Sequence, residues 1–166
     1  MNYLQLLPAF DSSCYVHLYN GMKKSIHNIK PGEIIQSSNH SNDFSIVKNV
    51  VRIVIDIDTQ NNRKYPYVSL VNFNSGLKCT HNQLILDEGK WTKATRIKKN
   101  IRKKMDYICP VLYSIITENN KSIMINDYKC KSWQKSIPSQ HVNNNNIITI
   151  HASNISVIDN ELYVSY

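Results

Sequence analysis

The sequence predicts an all-β domain, on three observations. Apolar and polar residues alternate over short runs, most clearly Val51, Ile53, Ile55 and Ile57 against Arg52, Val54, Asp56 and Asp58, which is the period of two of a strand with one buried face. Turn signals such as Asn20-Gly21 and Pro31-Gly32 punctuate these runs, as they do in sandwiches and small barrels. At 166 residues, with 42% hydrophobic and 19% charged side chains, the chain can bury one core and is too apolar for a disordered segment.

The elements follow in order. Tyr15-Val16-His17-Leu18-Tyr19 is rich in strand formers and ends at Asn20-Gly21, a strong hairpin dipeptide. Ser25-Ile26-His27-Asn28-Ile29 and Glu33-Ile34-Ile35 flank Lys30-Pro31-Gly32, a tight turn between two short strands. A polar loop over 37–43 leads into a long strand at about 45–58, closed by the loop 59–64. Strands follow at 67–73 and within 77–86, before the turn Asp87-Glu88-Gly89-Lys90. Trp91, Ala94, Ile97 and Ile101 then recur at three- or four-residue spacing, which predicts one short helical segment with lysine and arginine on its other face. Strands resume at 107–109, 111–117 and 122–128, the last two as a hairpin about Glu118-Asn119-Asn120-Lys121. Residues 134–146 read as a polar linker. The chain closes on Ile147–Ile150 and a hairpin in which Asp159-Asn160 turns 155–158 onto 161–164. No repeat of fixed period is visible.

Composition narrows the function classes. Twenty basic against 12 acidic side chains give +8, a balance compatible with nucleic acid or an acidic partner. Abundant asparagine and isoleucine, with lysine far above arginine, are also what an AT-rich genome produces, such as a large DNA virus, a parasite or a low-GC bacterium. No apolar run approaches the eighteen or so residues of a membrane span. The start, Met1 to Pro8, lacks the basic and apolar regions of a secretory signal. The expected setting is intracellular and off the membrane, and the Asn-x-Ser sequons at Asn39, Asn120 and Asn154 then carry no glycan. Cys14, Cys79, Cys109 and Cys130 are widely spaced with no C-x-x-C pair, so no zinc site is expected and reduced thiols are the default. Glycine-rich phosphate loops are absent. No cofactor is expected.

Three stretches carry a resemblance. The first is Ala9-Phe10-Asp11-Ser12-Ser13-Cys14-Tyr15-Val16-His17-Leu18-Tyr19-Asn20-Gly21, running on to Ile26-His27-Asn28-Ile29-Lys30-Pro31-Gly32-Glu33-Ile34. Another is Leu77-Lys78-Cys79-Thr80-His81-Asn82-Gln83-Leu84-Ile85-Leu86, trailed by Trp91 and Ala94. The last is Leu112-Tyr113-Ser114-Ile115-Ile116-Thr117, up to Ile123-Met124-Ile125-Asn126. Together they resemble the Hint superfamily, the self-processing domains of hedgehog proteins and inteins. The stretch from Ala9 is similar to the family's opening, with its nucleophile, Val-x-Leu and glycine turn. The stretch from Leu77 resembles its Thr-x-x-His block. The stretch from Leu112 resembles its late tyrosine strand. The resemblance implies a compact, flattened horseshoe of short strands over roughly Ala9 to Cys130.

It also implies an acyl shift. In the family a thiol or hydroxyl at the first position attacks the preceding peptide carbonyl, and the threonine and histidine of the Thr-x-x-His block polarise that linkage and protonate the leaving nitrogen. A further nucleophile then resolves the ester, and the partner is the flanking polypeptide in cis. Carried onto this chain, the nucleophile position is Ala9, which has no nucleophile. The threonine position is Thr80, intact. The histidine position is Gln83, which hydrogen-bonds but cannot deliver a proton as imidazolium does. The resemblance therefore implies a self-cleaving or splicing domain, inactive or impaired in its first step. Cys14 is the one displaced thiol near the opening, set against an ordinary core role. His81, two positions before Gln83, shares its face if both lie in a strand.

The resemblance extends to the tail. Ile148-Thr149-Ile150-His151-Ala152-Ser153 resembles an intein's C-terminal junction, with Ala152 where the cyclising asparagine belongs, His151 before it and Ser153 after. The expected division is a flank over 1–8, the Hint-like domain over 9–133, the polar linker, and a β-hairpin tail over 147–166. Other chemistry is thinner. Cys79 with His81 makes a thiol and base without an orienting acid, and Asp56 with Asp58 makes a carboxylate pair that equally well caps a solvated strand end. The alternative function is a small basic β-domain that binds nucleic acid or an acidic partner through Arg96-Ile97-Lys98-Lys99-Asn100-Ile101-Arg102-Lys103-Lys104, although no aromatic interleaves this run to stack on bases. A third reading is an interaction module without chemistry. A monomer is expected.

Overall fold

The computed structural model describes residues 7–40, 42–55, 67–99, 101–135, 137, 142–158 and 161–164, and they form an all-β domain. The strands in chain order are β1 (Phe10–Asp11), β2 (Tyr15–His17), β3 (Lys23–Ser25), β4 (Ile34–Gln36), β5 (Phe44–Val54), β6 (Tyr67–Phe73), β7 (Lys78–Cys79) and β8 (Leu84–Asp87). They continue with β9 (Lys90–Lys93), β10 (Ile101–Ile108), β11 (Val111–Thr117), β12 (Ile123–Ile125), β13 (Tyr128–Cys130), β14 (Ile147–His151), β15 (Ile155–Ile158) and β16 (Glu161–Val164). One sheet runs β10-β6-β7-β1-β11-β5-β14, with β4 also on β5; another runs β3-β2-β12-β13-β8-β9; β15 and β16 make a separate pair.

The alternation in β5 has the expected consequence. Val51, Ile53 and Ile55 are buried in one apolar cluster, while Val47 and Val50 belong to the other. The switch coincides with a register shift against β11 between Ile116 and Thr117, since one extra residue turns the following side chains to the opposite face. The long strand ends at Val54; its expected span beyond Ile55, with Asp56, Asp58 and the loop 59–64, lies outside the described residues, as does the turn at Asp159-Asn160.

The short helical segment expected over Trp91, Ala94, Ile97 and Ile101 is a single 3-10 turn between strands. Trp91 lies in β9, Ala94–Arg96 is a single 3-10 turn, and Ile101 opens β10. The same local pattern occurs earlier in the chain. The β2–β3 hairpin leads into a 3-10 turn at Ile26–Asn28, as β8–β9 leads into Ala94–Arg96. The Ile26 amide donates to Cys14 O and the Ala94 amide to Gln83 O, each at 2.9 Å, and the pairs Ile29 to Ile26 and Ile97 to Ala94 are each 3.2 Å. A 3-10 turn eclipses side chains three apart, so Ala94 and Ile97 are buried together as Ile26 and Ile29 are. That pairing imitates a helix in the sequence. Further 3-10 turns lie at Glu118–Asn120 and Ala152–Asn154.

The expected hairpin over 111–128 is also corrected. β11 pairs with β1 and β5, whereas β12 pairs with β2 and β13, so the segment 118–122 crosses between sheets and does not close a hairpin. The hairpin turn is Asn126-Asp127, with φ of 45° and 69°; such turns need positive φ at both central residues, which Asn and Asp tolerate. β14 is the edge strand of the first sheet, parallel to β5 from Ile147↔Val50 to His151↔Val54, and Ile148, Ile150 and Ile155 are core.

Candidate functional site

β1 lies in the middle of the first sheet, between β7 and β11, and its entry divides the two cores. Phe10 packs into one cluster with Val16, Ile26 and Cys79. Ala9, the residue before it, packs into the other with Val51, Leu112 and Trp133, as alternate residues of extended chain must. Both are fully buried. The Ala9 backbone is held by the residue that follows β7: its N–H donates to Thr80 Oγ1 at 3.1 Å, and its carbonyl accepts from the Thr80 N–H at 3.0 Å. The Thr80 hydroxyl in turn donates to Leu7 O. One buried side chain thus accepts from the peptide N–H of the Pro8–Ala9 linkage and donates to the carbonyl just upstream.

Gln83 is fully buried, but its carboxamide is committed elsewhere. Nε2 donates to Leu84 O and Lys131 O, each at 3.0 Å, which ties the start of β8 to the chain leaving β13. Its Oε1 has no hydrogen-bond partner among the described residues. The Gln83 N–H donates to Thr80 O at 3.2 Å, so the turn 80–83 is closed on itself.

That turn also corrects the placement expected for His81. Residues 81 and 82 form a turn, not a strand, so the alternation that would align His81 with Gln83 is absent. The imidazole Nε2 lies 3.1 Å from Ser69 Oγ on β6. Of the tail residues, Ala152 packs against the apolar cluster that contains Ala9. Phe10 is level with Tyr113, Tyr113 with Arg52, and Arg52 with Thr149, so β14 stands three strands from β1, about 14 Å across the sheet at ~4.8 Å per strand. His151 lies further along the edge and is exposed, as is Ser153; Ala152 is half-buried.

The thiols are structural. Cys14 is fully buried, and its Sγ donates to Lys78 O at 3.3 Å. Burial pushes the thiol from the ordinary 9.0 up to about 12, so it carries no thiolate to attack a carbonyl at neutral pH, and a displaced-nucleophile role is not supported. Burial also raises Cys79, Cys109 and Cys130, which removes Cys79 as a partner for His81. All four are free. A raised folded-state value favours the protonated form. The stability it contributes is complete below the unfolded value near 9.0 and is lost as pH rises through about 12. The urea midpoint is therefore expected to fall steadily above pH 9, while Ellman's reagent at pH 8 titrates no thiol until the protein is unfolded.

The basic run does not form a helical face. Lys98 and Lys99 are exposed in a loop, Lys99 pairs with Glu88, and Ile101 begins the edge strand β10; Asn100 and the side chains of 101–104 lie outside the described residues. Among the described residues, no three His, Cys, Asp or Glu side chains gather as a metal site, and no helix is long and apolar enough to cross a membrane.

No sequence motif marks the pocket beside this linkage. It is about 440 Å³ and is bordered by Pro8, Asn82, Lys93, Lys131, Ser132 and Lys135 among others. These residues come from four separate stretches, and only the two-sheet topology brings them together.

The fold so described is that of the inteins. The chain resembles Ssp DnaB mini-intein variant M86, at TM-score 0.56 and 12% identity over 78% of this chain and 96% of that one. It also resembles a bacterial intein-like domain from Clostridium thermocellum, at 0.53 and 11% over 76% and 99%. A DnaB intein from Synechocystis sp. matches at 0.51 and 14% over 76% and 99%. No curated protein matches the chain. The family model of the Hint domain, Vint, matches residues 8–150, and the chain belongs to that family of self-processing domains.

Proposed function

We propose that this Hint domain has lost, or retains only weakly, the acyl shift at the Pro8–Ala9 bond, and keeps its flanking polypeptide joined in cis. The observation that carries the reading is the Ala9 N–H held by Thr80 Oγ1 at 3.1 Å with a methyl group where an attacking atom belongs. Forming an ester requires a lone pair on residue 9 to add to the Pro8 carbonyl, and a proton to reach the departing nitrogen. A methyl group supplies no lone pair. Gln83 supplies no proton, and its N–H bonds are both given to backbone carbonyls. Thr80 still grips the linkage, so one part of the polarising apparatus stands without the other two. By the same logic Ala152, next to His151 and Ser153, has no amide to cyclise.

Four buried free thiols suit a reducing, intracellular setting. The test is a fusion carrying a reporter protein upstream of Pro8, incubated with dithiothreitol and separately with hydroxylamine. Mass spectrometry is expected to find the fusion intact after a day. Release of the reporter with a new terminus at residue 9 overturns the reading.

A further inference from the structure

We propose that the pocket beside the Pro8–Ala9 linkage binds the oxyanion of a small organic ligand, a carboxylate or a phosphate. Its volume of about 440 Å³ falls within the ~300–1,000 Å³ typical of small-molecule sites. Three lysines border it, Lys93, Lys131 and Lys135, and among the described residues that border it none is acidic. None of the three forms an ion pair with a described residue. Two of them are half-buried, Lys93 and Lys131, and Lys131 Nζ is steadied 5.5 Å over the Trp91 ring.

Convergent like charges repel unless an anion joins them. A separate observation does not rest on charge. Ser132 borders the same pocket, is 3% exposed, and its hydroxyl is buried with no hydrogen-bond partner among the described residues. Buried hydroxyls are nearly always paired; a turn of the Ser132 side chain toward the pocket would let one oxyanion accept from the hydroxyl as well as from ammonium groups. The site is also preformed. The Lys131 carbonyl is fixed by Gln83 Nε2 at 3.0 Å, and the Lys131 N–H donates to Leu84 O at 3.0 Å. A compact pocket suits one small molecule, whereas a polymer backbone needs a continuous groove. Binding here does not depend on whether the acyl shift is lost.

The test uses the whole chain, labelled with nitrogen-15, titrated separately with citrate and with inorganic pyrophosphate. Saturable amide shifts are expected at Asn82, Ser132 and their neighbours, reached by about 10 mM probe. Saturation by citrate alone assigns the site to carboxylates, by pyrophosphate alone to phosphates, and by both to oxyanions generally. Lys93→Gln with Lys131→Gln is expected to weaken binding roughly tenfold or more, and Ser132→Ala several-fold. Lys98→Gln with Lys99→Gln, which removes the same charge from an exposed loop, is expected to change it by less than about twofold. Unchanged shifts elsewhere verify that each variant folds. The proposal is overturned if neither probe saturates at the pocket, or if the loop pair weakens binding as much as the pocket pair does.

Discussion

Ala9→Cys combined with Gln83→His is expected to restore thiol-dependent cleavage between residues 8 and 9. The substitution at residue 9 places a sulfur one residue from the Pro8 carbonyl, on a backbone whose N–H and C=O are both already held by Thr80, so the entropy of positioning is largely met by the fold. The substitution at residue 83 supplies a proton for the leaving nitrogen. General acid catalysis contributes about 10²–10⁴-fold. The double variant should therefore exceed Ala9→Cys alone by about a hundredfold or more in dithiothreitol-released product. Two costs are visible beforehand. Ala9 is fully buried, and adding an atom to a packed site costs about 1–3 kcal/mol. Gln83→His also gives up at least one of the two bonds to Leu84 O and Lys131 O. Thermal melts must show a folded protein before the assay is read. Burial should hold the introduced thiol protonated, as it does Cys14, so the rate is expected to rise between pH 7 and 9 as thiolate accumulates. A folded double variant that stays whole at every pH would show that Ala9 is not the position a nucleophile once held.

Much of the fold is legible where local rules act alone. The alternation in β5, the turn at Asn20-Gly21 and the strands at 67–73 and 111–117 need no tertiary context, and all appear as strands or turns. Sequence and structure part where two elements compete for one pattern. The three-residue spacing of Ala94 and Ile97 satisfies both a helix and a hairpin followed by a 3-10 turn, and only the matching arrangement at Ile26 and Ile29 decides between them. Glu118–Lys121 imitates a hairpin because any polar loop between two strand patterns reads as a turn. The true turn at Asn126-Asp127 is hidden inside what reads as one strand.

The site divides in the same way. The resemblance to the Hint family points to Thr80 and Ala9, and the structure joins them directly by two hydrogen bonds. His81 departs from its expected place because strand alternation does not continue through residues that turn. Ser132 and Lys131 carry no sequence signal. Their significance is a property of the pocket and of the Gln83 contact, and both depend on strands more than forty residues apart.

If the site is silent as proposed and its threonine persists for architecture, removing Thr80 must destabilise the domain even where no reaction would depend on it. Thr80→Val keeps the shape and deletes the hydroxyl. Two buried backbone groups then lose a partner, the Ala9 N–H and the Leu7 carbonyl, in surroundings where Ala9 is 0% and Leu7 1% exposed. Leaving a buried donor or acceptor unmet costs about 1–3 kcal/mol each. The expected loss is about 2–5 kcal/mol by urea denaturation, and a melting point lower by roughly 5–15 °C for a domain of this length. Thr80→Ser restores the oxygen without the methyl group, and should recover all but about 1 kcal/mol of that loss. The pair of variants separates hydrogen bonding from packing, because valine fills the space that serine leaves. A Thr80→Val protein as stable as the parent would mean that the hydroxyl does not anchor the entry of β1, and that its grip on the Pro8–Ala9 linkage serves chemistry alone.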